Sequence, residues 1–225
     1  MNINEITNLL EIKNFNHVSG GALHEEAQVN IFLDVLKKIN SESPKMFELG
    51  SYEAYYSIMF NKFFKNKNAK NVCLEISKPN FDLGLKNCLN NECKNMHFEH
   101  AGIGYTNLAS YGGRPSEFQG HEISNRTLNI KYLFDTYDID ILDILHVDVQ
   151  GSESSVLEEI KKENLKIKYF FINIHDDDIT NKFYGYSVYE KCKQVLDSFG
   201  VDYIYDNRTS GGYGDGLIVA ENKKI

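Results

Sequence analysis

Leu142-Asp143-Ile144-Leu145-His146-Val147-Asp148-Val149-Gln150-Gly151-Ser152-Glu153 is the stretch whose reading decides the fold. Its short apolar run reads as a buried strand, Ile141–Val149. After Gly151 the spacing turns helical over Glu153–Glu163, so one strand feeds one helix. The same rhythm continues on both sides. Upstream, Lys45–Leu49 reads as a strand closed by Gly50, Tyr55–Lys65 as a helix and Asn71–Glu75 as a strand. Ser77 then caps a helix with Pro79 in its first turn, where a missing N–H does no harm. Met96–Ala101 is a third strand and Thr127–Tyr137 an amphipathic helix through Leu128, Tyr132, Leu133 and Phe134. Downstream come the strand Lys168–Ile174 and the helix Ser187–Phe199.

Alternating strands and helices predict an α/β fold, a Rossmann-like and mostly parallel sheet with helices on both faces. Val201–Tyr205 and Gly216–Ala220 have no helix between them and predict an antiparallel closing hairpin. Ahead of the first strand, Glu25–Ile39 is helical, with Val29, Phe32, Leu36 and Ile39 on one face. The chain of 225 residues fits one domain, with 1–44 as a helical extension and 45–225 as the core.

At 42% hydrophobic and 25% charged the composition is that of an ordinary globular protein. A formal net charge of -8 argues against a nucleic-acid partner, which normally meets a basic face. No apolar run approaches membrane-spanning length, and no signal peptide is visible at the N-terminus. Cys73, Cys88, Cys93 and Cys192 form no C-x-x-C pair and read as reduced thiols, which points to the cytoplasm.

In open α/β sheets ligands bind beyond the carboxyl ends of the strands. Four strand ends carry chemistry. In Phe47-Glu48-Leu49-Gly50-Ser51-Tyr52-Glu53-Ala54 the glycine lets backbone approach a ligand, and the next helix start offers free N–H groups. Ala54 stands where a later glycine of a G-x-G-x-x-G dinucleotide motif would fall, which lowers the standing of an NAD enzyme. Glu75, some twenty-five residues on, ends the second strand where an acid accepts both hydroxyls of a ribose; a solvated strand-end acid is the plainer reading. The third strand end is the opening stretch.

That stretch resembles the Lys-Ile-Asp-x-Glu-Gly-x-Glu block of the FkbM-type methyltransferases. Asp148, Gly151 and Glu153 match it; His146 stands for the lysine and Gln150 for the glutamate. Arg126-Thr127-Leu128-Asn129 is similar to the family's Thr-Leu-Asp helix start, and Glu48 and Glu75 match its acids. The resemblance covers about Phe47 to Asp176. It implies a class I methyltransferase fold with S-adenosylmethionine along the carboxyl edge of the sheet. Gly50 and Ser51 would face its methionine part, with Glu48 and Tyr52 beside them. Glu75 and Ile76 would take the ribose, Ala101 and Gly102 after His100 the adenine, and Asp148 the centre.

The fourth strand end is Phe170-Phe171-Ile172-Asn173-Ile174-His175-Asp176-Asp177-Asp178. Adjacent carboxylates repel unless solvated or bound to a cation. Asp148, Asp176 and Asp177 offer hard oxygen ligands for one Mg²⁺, as in the similar metal-dependent catechol and macrolide-sugar methyltransferases; a solvated acidic loop is the plainer reading. An alcohol attacks a sulfonium methyl poorly until its proton leaves, so a base or metal is needed. His175 is the first candidate base, with Asp148 and Asp176 as its catalytic companions. His121, within the irregular Gly102–Arg126 stretch, is the reserve and a substrate contact. Arg114 and Arg208 fall in loops at the same edge and lean the reading towards an anionic acceptor, a phosphorylated or acidic sugar. The expected activity is O-methylation of a small-molecule or glycan hydroxyl. Two alternatives stand: an NAD or nucleotide-sugar enzyme on a similar sheet, and a non-catalytic cofactor-binding partner of another methyltransferase.

Overall fold

Strand β1 (Lys45–Leu49) is buried at four of its five residues, which places it inside a sheet covered on both faces. In the computed structural model, which describes residues 1–13, 15, 26–104, 121–176, 178–208 and 215–225, it lies between two parallel neighbours. These are β2 (Lys70–Glu75) and β6 (Ile141–Val147). β3 (Met96–His100) extends the sheet beyond β2, and β7 (Lys166–His175) extends it beyond β6. The chain then closes with β8 (Asp202–Arg208) and β9 (Asp215–Glu221). β9 inserts antiparallel between β7 and β8, so the order is β3-β2-β1-β6-β7-β9-β8. The predicted α/β sheet and its antiparallel ending are both present.

Period-two alternation divides the side chains between two cores. On one face α2 (Glu26–Lys38) and α3 (Tyr55–Phe63) bring Phe32, Leu36, Ile58 and Met59 against Met46, Ile144, Phe171 and Val219. On the other, α5 (Ile130–Thr136), α6 (Glu153–Lys162) and α8 (Val188–Phe199) pack Leu133, Val156 and Leu196 against Phe47, Leu145, Phe170 and Ile218. The same alternation sends Glu48, Glu75, Asp148, Asn173 and His175 out on the α2 and α3 face, because each stands an even number of residues from a side chain of that core.

Several details differ from the sequence reading. α4 (Lys78–Asn90) begins after Ser77, but the Ser77 side chain does not cap it. Its Oγ lies 2.8 Å from His121 Nδ1 instead. β4 (Gly102–Ile103), at the start of the stretch expected to be irregular, and β5 (Thr127–Leu128), in the first turn of the expected helix, form a two-residue parallel pair. α5 accordingly starts late, at an Asn129 cap whose Oδ1 accepts from Tyr132 N at 2.7 Å. α1 (Ile3–Leu9), closed by an Asn2–Glu5 capping box, and α7 (Asp178–Tyr184) were not anticipated. The four cysteines form no disulfide. Among the described residues no helix is long and apolar enough to cross a membrane.

Candidate active site

The first half of the site lies where β1 and β2 end. Gly50 N and Ser51 N both donate to the Leu74 carbonyl, at 2.8 and 2.9 Å, which folds the chain sharply over β2. A Cβ on Gly50, whose φ is +77°, would stand 1.8 Å from the Asp148 carbonyl oxygen. Glycine is therefore required here by the approach of two strand ends. Tyr52 and Ala54 continue the turn with φ of +46° and +62°, a backbone region that side chains seldom adopt. The turn aims Tyr52 N at Glu75 Oε2, 2.8 Å away, while Ser77 N donates to Glu75 Oε1 at 2.9 Å. Burial pushes the Glu75 carboxyl up to about 7 against the pull of these two N–H groups, and the charge of Asp148 adds to the rise.

Glu48 sits deeper, 2% exposed, where burial pushes it up to about 8 despite the hydrogen bonds from Ser57. Its Oε2 accepts from both the backbone N and the hydroxyl of Ser57 in α3. The charges of Asp148 and Glu75 also raise it. Glu48 thus clamps β1 to α3 through Ser57, just ahead of the expected cofactor bed at Gly50 and Ser51.

The second half lies where β6 and β7 end. Asn173 Nδ2 donates to Asp148 Oδ2 at 3.3 Å. His175 is 6% exposed; its Nε2 lies 3.6 Å from Asp148 Oδ1, and its Nδ1 lies 2.7 Å from Oε1 of the fully buried Glu153. Gly151 N also donates to that Oε1, at 3.1 Å. A cleft opens on this group, lined by Gln28, Asp148, Asn173, His175, Tyr205 and Asn207 among others. Gln28 comes from α2, ahead of every strand, so a strand-end position gives no signal for it. Asn173 had a signal: it stands two residues before His175, hence on the same face, beside the strand that ends at Asp148.

The other expected residues fall elsewhere. Asp176 turns away from Asp148: its Oδ1 accepts from Ser187 Oγ at 2.9 Å and from Tyr189 N at 3.3 Å, and its Oδ2 from Arg208 Nη2 at 2.6 Å. Burial alone would raise its pKa, but the Ser187 and Tyr189 hydrogen bonds, with Asn181 and Arg208, hold it below the ordinary carboxylate range. The expected catalytic and metal roles of Asp176 are therefore corrected: it fixes the start of α8. Arg208 is engaged in the same way, by Asp176 and, at 3.0 Å, by Glu190. It is an ion-pair residue, where the sequence suggested an acceptor anchor. His121 bonds Ser77 on the β2 side, three strand spacings or about 14 Å from the β7 side, so it belongs to the Glu75 half. Ala101 N donates to the Glu75 carbonyl at 3.0 Å, and the Ile76 carbonyl meets His100 Nε2 at 3.1 Å, which sets Ile76, Ala101 and Gly102 around that same edge. Arg114 and Asp177 lie outside the described residues.

These residues do not suit a Mg²⁺ ion. Among the described residues no three His, Cys, Asp or Glu side chains converge as ligands, and both oxygens of Asp176 are already taken. An adenosyl cofactor does suit them. Ser51 Oγ and Gln150 Oε1 are buried with no hydrogen-bond partner among the described residues, next to the two strand-end glycines. Such atoms remain to be satisfied by a polar ligand.

Comparison with known proteins bears on family and fold. The methyltransferase FkbM domain matches residues 34–199. Among solved structures the chain is similar to a precorrin-6y C5,15-methyltransferase from Geobacter metallireducens, at 12% identity and a TM-score of 0.54 over 93% of this chain and 95% of that one. It is also similar to an O-methyltransferase from Bacillus cereus in complex with SAH, at 12% identity and a TM-score of 0.52, covering 97% and 89%. An rRNA methylase from Streptococcus thermophilus aligns at 12% identity and a TM-score of 0.51, covering 89% and 99%. At these identities the likeness is one of fold. No curated protein sequence matches the chain.

Proposed function

The chain belongs to the FkbM methyltransferase family and is an S-adenosylmethionine-dependent methyltransferase; from that premise we propose that it methylates a hydroxyl oxygen of a neutral small molecule or sugar. The observation that carries this reading is the pairing of His175 Nε2 with Asp148 Oδ1, 3.6 Å apart, at the wall of a cleft whose other polar side chains among the described residues are the amides of Gln28, Asn173 and Asn207 and the hydroxyl of Tyr205. Amides and hydroxyls recognise hydroxyls. Among the described residues the cleft lining holds no lysine or arginine. Arg208, the described arginine of the anionic-acceptor expectation, is bound to two acids, so among the described residues no unengaged arginine of that expectation is left for a phosphate or carboxylate on the acceptor. A net charge of -8 also favours a small acceptor over nucleic acid.

When bound, S-adenosylmethionine supplies a methyl group on a sulfonium sulfur, which leaves with the electron pair of the broken S–C bond. Gly50, Ser51 and Tyr52 form the bed for it, and Glu75 accepts its ribose hydroxyls. Asn173 and Asp148 orient the acceptor hydroxyl. His175 Nε2 takes the hydroxyl proton, and the oxygen keeps the pair with which it bonds the methyl carbon. The resulting imidazolium would lie between Asp148 and Glu153. Labelled S-adenosylmethionine offered with neutral sugars and, separately, with their phosphates tests the reading. Label should enter the neutral set as an alkali-stable ether. Transfer confined to the phosphates, or to RNA, would overturn it.

A further inference from the structure

We propose that Glu153 is the positioning residue of the reaction: it fixes His175 as the Nδ1–H tautomer and so turns the basic Nε2 towards the acceptor cleft. The inference rests on the O-methyl-transfer reading for its consequence but on geometry for its content. Glu153 opens α6, fully buried, and reaches across to the end of β7. Its Oε1 already accepts the Gly151 N–H at 3.1 Å, and an oxygen accepting one donor in that position takes a second in the same sense. The Nδ1 atom 2.7 Å away therefore carries the proton of the pair. With that proton fixed, a neutral ring has its lone pair on Nε2, the atom that faces Asp148 and the cleft.

Gly151 ties the arrangement to the backbone. Its φ is +105°, and a Cβ there would stand 2.7 Å from Thr180 Cγ2, so the chain enters α6 on a path open to glycine alone. That path brings the Gly151 N–H back onto the Glu153 carboxylate two residues later, so that Gly151 N and His175 Nδ1 meet on one oxygen, Oε1. The second oxygen, Oε2, is buried without a hydrogen-bond partner among the described residues. Hydrogen bonds to Oε1 alone sustain a carboxyl at this position, a cost that a packing role would not require.

Nitrogen-15 NMR of the ring nitrogens of the full-length protein, without cofactor, reads the tautomer directly. The His175 signals are assigned by their loss in His175→Gln. The expected result is a protonated Nδ1 and an unprotonated Nε2 at neutral pH. In Glu153→Gln the amide can donate to Nδ1, so the tautomer should shift to Nε2–H and turnover should fall about a hundredfold or more, with S-adenosylhomocysteine affinity unchanged. Glu153→Asp should restore the Nδ1–H ring and part of the turnover. An Nε2–H ring in the wild type overturns the proposal even where Glu153→Gln fails to fold, and so does a Glu153→Gln protein with wild-type tautomer and turnover. A wild type that methylates no hydroxyl acceptor, while keeping the Nδ1–H ring, sinks the reaction reading and leaves the assignment of Glu153 standing.

Discussion

At the β2 end of the site a buried carboxylate is held by main-chain N–H groups, those of Tyr52 and Ser77. At the β7 end a buried imidazole is held by another side chain, that of Glu153. The first half depends on the path of the backbone, which takes Tyr52 and Ala54 through positive φ to aim its N–H groups. The second half depends on which side chains are present. On the proposed reading the backbone-held half meets the cofactor and the side-chain-held half meets the acceptor.

The harshest way to break the contrast is at the seam between the halves. Gly50→Ala puts a methyl group into the Asp148 carbonyl, and denaturant unfolding should show a loss of about 3 kcal/mol or more, with cofactor binding and turnover failing together. His175→Ala should injure only the β7 half. Its turnover should drop about a hundredfold or more, while calorimetric titration with S-adenosylhomocysteine stays at the wild-type value. Glu75→Ala tests the opposite half: the same titration should weaken by about 1–3 kcal/mol. Unchanged affinity would remove the ribose role and break the comparison on its cofactor side.

The electrostatics sharpen it further. Glu48 ionises at about 8 in the folded chain, well above its ordinary value, so the unfolded chain releases that proton first as pH rises. The stability it contributes is complete below the ordinary carboxylate range and is lost as pH climbs through about 8. Glu75, at about 7, acts in the same direction. Melting temperature should therefore fall between pH 6 and pH 8.5, by about 2–4 °C for each kcal/mol lost, and Glu48→Gln should flatten most of that slope. A slope unchanged in Glu48→Gln would assign it to other groups. The smallest effect is expected from EDTA. With Asp176 committed to Arg208, dialysis against the chelator should leave the rate of methyl transfer as it was. Loss of activity restored by Mg²⁺ would return the β7 half to metal chemistry.

Much of this was legible along the chain. The strand and helix order follows from period, and Gly50, Glu75 and Asp148 stand out because each follows an apolar strand in a sheet of this kind. What could not be read depends on contacts between distant residues. Arg208 is 32 residues from Asp176, and it reaches that acid only because the closing strands return beside β7. Three adjacent acids looked like a cation site because nothing local reveals a guanidinium arriving from that distance. Gln28 enters the cleft from a helix that precedes every strand. The left-handed turn at Tyr52 and Ala54 left no trace either, since neither position is a glycine. Ser77 was read as a helix cap from its type and place, yet its hydroxyl goes to His121, a partner 44 residues on.

The insertion of β9 between β7 and β8 also sets a timetable for synthesis. β1, β2 and β3 precede residue 101, so the β2 half of the site has all its strands while much of the chain is still to be made. β8 follows next to last and has no neighbour to pair with, because its place beside β7 is reserved for a strand not yet translated. Until residues 215–221 arrive, the β7 edge from Tyr169 to His175 stands open, an apolar ladder without its partner. The strands that carry Glu48 and Glu75 are thus made well before the one that completes the β7 edge.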